Sequence, residues 1–280
     1  MKINMKKGKA FNIVPYFGGK TAHVNWLKSM FPKKRHFIDA MCGSASVAIN
    51  VNFDLITIND LNNDVINFFK VLVNNMDEFM DRLYLTPFSR KVFEGSESFF
   101  DMESDVDRSV HFYVRALQGF GGVSTQNKHN GWGCDITPGK SNHFRVDSWN
   151  TKPNCLVQLI EKLRSFQVEN MDVFDLIVKF DKPTNFIYVD PPYLRSVRND
   201  NKRYTHEWEE CDHIRFLERA NDVKCNMAIS GYDSELYQSI IGDKFIKVFA
   251  KSSRVNTKNI LRQECLWMNY QPPALNQMLF

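Results

Sequence analysis

A chain of 280 residues, 43% hydrophobic and 24% charged, can bury a large core as one big domain or as a domain carrying an insert. No apolar run approaches the roughly 20 residues of a membrane span, and the first lysines are not followed by the apolar stretch of a signal peptide, so the expected compartment is the cytoplasm. The six cysteines are scattered with no CxxC pair and no His/Cys cluster, which argues against zinc or a disulfide framework; the net charge of +4 matters only through its distribution.

The first organised stretch, Pro15-Tyr16-Phe17-Gly18-Gly19-Lys20, is a loop opening into an amphipathic helix around Ala22 to Met30. Two glycines before a lysine let backbone amides approach a polar ligand, but the spacing of a nucleotide-triphosphate loop is missing. Arg35 to Asp39 then reads as a strand, followed by the small-residue turn Met41-Cys42-Gly43-Ser44-Ala45-Ser46 and a helix from Val47 to about Val51. That is the first βα unit of a nucleoside-binding sheet. A second strand, Leu55 to Ile58, ends in Asn59-Asp60. An acid there is placed to accept from both ribose hydroxyls; its alternative is to cap the helix predicted over Leu61 to Val73.

From about Tyr84 to Thr151 the pattern changes. Acidic residues precede a helix over Val110 to Leu117, and Gly119 to Gly133 is a long run of Gly, Asn and aromatics without periodicity. Loops of that length are usually functional, and Gln126, Asn127, Lys128 and Trp132 offer the donors and wedges that read or open base pairs. The sheet pattern resumes with a helix over Leu156 to Leu163, a short strand over Phe166 to Glu169, Asp172, and a helix over Asp175 to Phe180. Asp172 can either hold an adenine edge or cap that helix.

Phe186-Ile187-Tyr188-Val189 then reads as a strand buried on both faces, ended by Asp190-Pro191-Pro192-Tyr193. Neither proline can donate to a ladder, so a carboxylate, exposed carbonyls and an aromatic ring are held at the carboxyl end of a central strand, where open α/β sheets bind ligands. A polar loop from Arg195 to Trp208, with Arg203 and Tyr204, reads as an active-site lid. A helix over Cys211 to Asn221 and a strand over Met227 to Ser230 follow. The basic residues Lys244, Lys247, Lys251, Arg254, Lys258 and Arg262 then precede a strand over Glu264 to Met268 and suggest phosphate contacts.

Together these motifs resemble the Dam-like adenine-specific DNA methyltransferases, and their phage-type branch in particular, over nearly the whole chain. Tyr16 to Lys20 is similar to the family's N-terminal cofactor motif. Phe37 to Ser46 is similar to its glycine-rich motif, with Asp39-Ala40-Met41 for Glu-Pro-Phe and Ala45 for the last glycine. Asn59-Asp60 matches the ribose acid, Val168 to Asp172 the adenine-edge motif, and Asp190 to Tyr193 the catalytic tetrad. The resemblance implies a Rossmann-like α/β sheet from residues 1–83 and 152–280, with a mainly helical DNA target-recognition insert at 84–151.

It further implies S-adenosylmethionine as methyl donor, S-adenosylhomocysteine as product and no metal. Tyr16, Phe17, Gly18, Lys20, Asp39, Cys42, Gly43, Ser44, Asp60, Asp172, Val173 and Asp190 would hold the cofactor. Asp190, Pro191, Pro192 and Tyr193 would act on the amine of a flipped adenine in double-stranded DNA, which Lys20, Gln126, Asn127, Lys128, Trp132, Arg203, Tyr204, Lys251, Arg254 and Lys258 would bind. Methylation of the cytosine amine, for which Ser would be commoner than Asp190, and a catalytically silent DNA-binding regulator are the rival readings. A cognate restriction endonuclease stands open as a partner, as does the choice between monomer and weak dimer. The expected setting is a bacterial or phage-infected cell.

Overall fold

Side-chain alternation along the central strands fixes the layers. On Phe186-Ile187-Tyr188-Val189 the first and third side chains enter one apolar cluster and the second and fourth another, on the opposite face; Phe37 and Ile38 divide the same way. A strand buried on both faces needs helices on both, which is the doubly wound arrangement. The computed structural model describes residues 10–96, 104–120, 131–135, 145–197, 205–250 and 263–276.

In chain order the elements are α1 (Val24–Met30), β1 (His36–Asp39), α2 (Ser46–Asn50), β2 (Leu55–Asn59), α3 (Asn63–Asn74), α4 (Met76–Tyr84), α5 (Arg90–Gly95), α6 (Asp105–Gln118), α7 (Arg145–Arg164) and β3 (Phe166–Glu169). There follow α8 (Val173–Phe180), β4 (Asn185–Val189), α9 (Glu210–Ala220), β5 (Asn226–Tyr232), α10 (Glu235–Ile241), β6 (Ile246–Phe249), β7 (Glu264–Met268) and α11 (Pro273–Asn276). Among the described residues seven strands form one sheet in the order β3-β2-β1-β4-β5-β7-β6. Strands β1 to β5 run parallel, and β7 is antiparallel to both its neighbours. The expected Rossmann-like α/β sheet is therefore present. The winding reverses between β1 and β4, and that switch point opens a crevice at their carboxyl ends.

Residues 84–151, expected as an insert, supply α5, α6 and the first part of α7. Helix α7 runs through the expected boundary without a break. Helix α6 begins with Asp105 and Asp107 in its first turn, where carboxylates offset the helix dipole. Its buried side chains, Val106, Phe112 and Tyr113 among them, belong to the same core cluster as Phe37 and Phe186 of the sheet. Phe68 of α3 joins the two, with Phe79, Phe112 and Tyr113 at ring-centroid distances of 5.3–6.0 Å. A shared core predicts a shared transition. Phe68→Ala should cost about 3–5 kcal/mol and lower the whole denaturant curve as one step. Separate unfolding of helical and sheet signals in the variant would contradict it.

Candidate active site

Asp190 leaves β4 at the switch point, where Pro191 and Pro192 end the strand. Its side chain keeps 16% exposure, and Lys20 Nζ, 7% exposed, lies 2.8 Å from Oδ1. At that distance the ammonium and the carboxylate form an ion pair. Lys20 also donates to the Gly18 carbonyl at 3.1 Å and sits 4.8 Å from the centroid of the Tyr193 ring. The Tyr193 hydroxyl donates to Glu264 Oε1 at 2.5 Å, and its ring meets Tyr232 edge-on at 4.8 Å. Burial raises the Asp190 carboxyl to about 6; Lys20 pulls it down and Glu264 pushes it up.

One cleft of about 890 Å³, open mouth included, runs from Asp190 along the carboxyl edge of the sheet. Its wall includes every residue expected to hold a cofactor, from Tyr16, Phe17, Gly18 and Lys20 through Asp39, Cys42, Gly43, Ser44 and Asp60 to Asp172, Val173 and Asp190. Pro192 lines it too, whereas Pro191 and Tyr193 lie outside it. The turn after β1 is tight: Gly43 has φ 49°, and a Cβ there would sit 2.8 Å from the Tyr16 ring. Ala45 has φ 50°, so the position at which the resembled family carries glycine is left-handed here as well.

Asp60 accepts from Gly43 N at 2.8 Å and from Asn62 N at 2.9 Å. Burial raises its carboxyl, and those two amides pull it back. It does not cap α3: Asn62 does, accepting from Asp64 N at 2.9 Å. The Asp60 oxygens therefore keep lone pairs for a ligand. Asp172 caps α8 through Phe174 N at 2.8 Å and also lines the cleft. Asp39 is 2% exposed, accepts from Ala48 N at 3.3 Å, and is raised to about 8 by burial and then by the charge of Asp190.

The donors and lining residues fit a nucleoside sulfonium of the S-adenosylmethionine type. Asp60 faces it with open acceptors, Asp190 supplies negative charge, and Met41, Val173 and Trp208 give apolar wall.

Some site residues escaped the sequence reading. Asn59 donates to the carbonyls of Ala40 and Met171 at 2.9 and 3.0 Å and accepts from Met171 N at 2.9 Å, tying the ends of β1, β2 and β3 together. His206 and Trp208, read as part of the lid, line the cleft, and Glu264 reads as the start of a strand in a segment resembling the family, without a role of its own. Their partners are too distant in sequence for any spacing rule.

The residues expected to meet DNA fare unevenly. Lys20 is turned inward to Asp190. Trp132 is held at the neck of its loop: Gly119 and Trp132 form an antiparallel bridge, and Arg90 lies 4.9 Å from the indole. Gln126, Asn127, Lys128, Arg203, Tyr204, Lys251, Arg254 and Lys258 lie outside the described residues. Of the basic run, Lys244 donates to the Asn221 carbonyl at 3.1 Å, and Lys247 in β6 to Asp233 and Gln238 at 2.9 and 3.0 Å. Among the described residues no helix is long and apolar enough to cross a membrane.

A family model for D12 class N6 adenine-specific DNA methyltransferases matches residues 16–257. The chain is 24% identical to the DNA adenine methylase of Serratia marcescens over 92% of its own length and 95% of that protein's. It is 23% identical to the DNA adenine methylase of Salmonella typhi, covering 83% and 84% of the two chains. With the modification methylase StsI of Streptococcus sanguinis it shares 25% identity over 93% of its length, but spans only 43% of that larger protein.

The raised Asp39 carboxyl has a thermodynamic consequence. The folded chain keeps a proton there that the unfolded chain loses near pH 4, so this site makes stability fall as pH rises towards about 8. Asp39→Asn keeps an acceptor for Ala48 N and removes the ionisation. The ligand-free variant should melt above the native protein, by an excess that grows from about pH 5 to about pH 8, each kcal/mol being worth about 2–4 °C. Thermal melts at both pH values check this, and an excess independent of pH would refute it.

Proposed function

The chain belongs to the D12 class of N6 adenine-specific DNA methyltransferases, and we propose that it transfers the methyl group at Asp190-Pro191-Pro192-Tyr193 to the exocyclic amine of an adenine flipped out of double-stranded DNA. Membership sets the cytosine-amine reading aside. The observation that carries the site assignment is the position of Asp190, paired with Lys20 and opening onto the cleft at the switch point. We keep within the proposal the phage-type branch, the site-specific action, and a place in a restriction-modification pair, which the name of the StsI methylase suggests.

S-adenosylmethionine, when bound, supplies a methyl group on a sulfonium, a good leaving group for in-line transfer. The protein must make adenine's amine nucleophilic, because its lone pair is delocalised into the ring. Asp190 accepts one amine N–H and the Pro191 carbonyl the other, favouring a pyramidal nitrogen whose lone pair points into the cleft. Tyr193 offers a face on which the unstacked base rests, offsetting part of the few kcal/mol of unstacking. Asp60 holds the ribose hydroxyls and Asp172 the adenine edge, while the Asp39 carboxyl lines the wall beside the donor. Catalysis is then positioning and electrostatics with no covalent intermediate. The insert, with Gln126, Asn127 and Lys128, reads the DNA sequence, while Lys251, Arg254 and Lys258 contact phosphates.

Two substitutions separate the two halves of the site. Asp190→Ala should leave S-adenosylmethionine affinity within a few-fold while methyl transfer to unmethylated duplex DNA falls by orders of magnitude. Retention of more than about a tenth of native turnover would remove the assigned role. Asp60→Ala should weaken the cofactor by about 1–3 kcal/mol through lost bonds to a charged acceptor, read by calorimetric titration. An unchanged dissociation constant would leave Asp60 as the clasp of the Gly43 turn alone.

A further inference from the structure

Strand β7 enters the sheet against its neighbours, so its first residue rather than its last lies at the carboxyl edge of the parallel strands. Glu264 is that residue, in register with Tyr232 at the end of β5. Its side chain is 9% exposed and lies 3.7 Å from Lys20 Nζ. The Tyr193 hydroxyl is bonded to it at 2.5 Å. Lys20 thus stands between two carboxylates, 2.8 Å from Asp190 and 3.7 Å from Glu264, with the Tyr193 ring alongside.

We propose that Glu264 is a positioning residue of the methyl transfer: from β7 it fixes the Tyr193 phenol and shares the Lys20 ammonium, so that Asp190 remains a strong acceptor for the adenine amine. The inference rests on Asp190 and Tyr193 being the transfer site. Asp190 faces two needs that conflict. It must be ionised, which Lys20 favours, yet a tight private ion pair would draw its charge away from the substrate. A second carboxylate on the same ammonium relieves that conflict, because the cation's field is divided between the two. The same carboxylate fixes Tyr193 through its hydroxyl, leaving the ring face to the base. A bulky apolar residue at this point would leave the phenol unbonded and Lys20 wholly to Asp190.

The signs are testable because the groups around Asp190 are known. Lys20 and His23 face it from the N-terminal segment, Asp39 from β1, Tyr188 and Tyr193 from its own strand and turn, Tyr237 from α10, and Glu264 from β7. Glu264 raises the Asp190 carboxyl and Lys20 lowers it. Removing the charge of Glu264 must therefore move the acid limb of the kcat profile to lower pH, opposite to the effect of Lys20→Met.

The experiment measures kcat against pH for labelled methyl transfer from S-adenosylmethionine to unmethylated duplex DNA, with cofactor affinity titrated in parallel. Glu264→Gln keeps the shape and an acceptor for Tyr193. It is expected to shift the acid limb down by roughly half a unit to one unit and to lower plateau kcat roughly tenfold, with cofactor affinity kept within about twofold. A profile superimposable on the native one overturns the proposal. Should Glu264→Gln fail to fold, Glu264→Asp decides: it keeps the charge but withdraws it from Tyr193, so kcat falls while the limb stays, and an unchanged kcat overturns the assignment. Native protein that transfers no methyl to adenine would overturn the reading of the function itself, which neither variant can do.

Discussion

A carboxylate buried at the mouth of a parallel sheet needs a counter-charge, and the rest of this site is arranged around supplying one. Asp190 cannot be retracted, because two prolines end its strand and hold the chain where β1 and β4 part. Lys20 meets it from a loop 170 positions earlier, and the burial of that lysine fixes the loop in turn: its ammonium ties back to the Gly18 carbonyl, and Tyr16 lies over Gly43. A single ion pair thus couples the amino-terminal loop, the turn after β1 and the tetrad. Its value is less in stability, since a buried pair costs desolvation on both sides, than in locating three chain segments about one acceptor.

The nucleoside side of the cleft is held by backbone instead. Asn59 ties three strand ends with its one amide, so the carbonyls and amides at the cleft floor are satisfied before any ligand arrives. Asp60 clasps the Gly43 turn through one oxygen and the Asn62 amide through the other, which orients both lone-pair sets. Ala45 at φ 50° costs about 1 kcal/mol that glycine would not. Small residues are needed on this turn because Tyr16 closes it from above.

The sequence made the catalytic corner legible because that corner is local: strand, Asp and two prolines stand side by side, and their consequences need no tertiary information. Strands β3 and β7 lie on their expected residues for the same reason, bounded by sharp changes of pattern. Helix α7 reads short, since Pro153 and a run of polar residues hide its first half, although burial of Trp149 and Leu156 holds it as one helix. Helices α4, α5 and α10 and strand β6 were not foreseen, and length is not the reason, since α1 and α8 are no longer than α4 and β1 and β3 no longer than β6. Asp60 was readable as ligand or cap, and the observed cap, Asn62, removes the second reading. Glu264 was out of reach. Its meaning lies in contacts with Lys20 and Tyr193 made 244 and 71 positions away, which no local pattern encodes.

The antiparallel strand also organises what surrounds the site. Because β6 runs parallel to β5 and β7 against it, β6 ends and β7 begins at the carboxyl edge of the sheet, where Ala250 N donates to the Glu264 carbonyl at 2.8 Å. Ala250 and Glu264, on either side of residues 251–262, therefore both lie at that edge. His206 and Trp208, farther along the chain from the tetrad, lie on the cleft wall as well. A sheet of parallel strands alone would return its chain at the far edge after each crossover. Reversing one strand brings the Glu264 carboxylate to the edge that carries the tetrad.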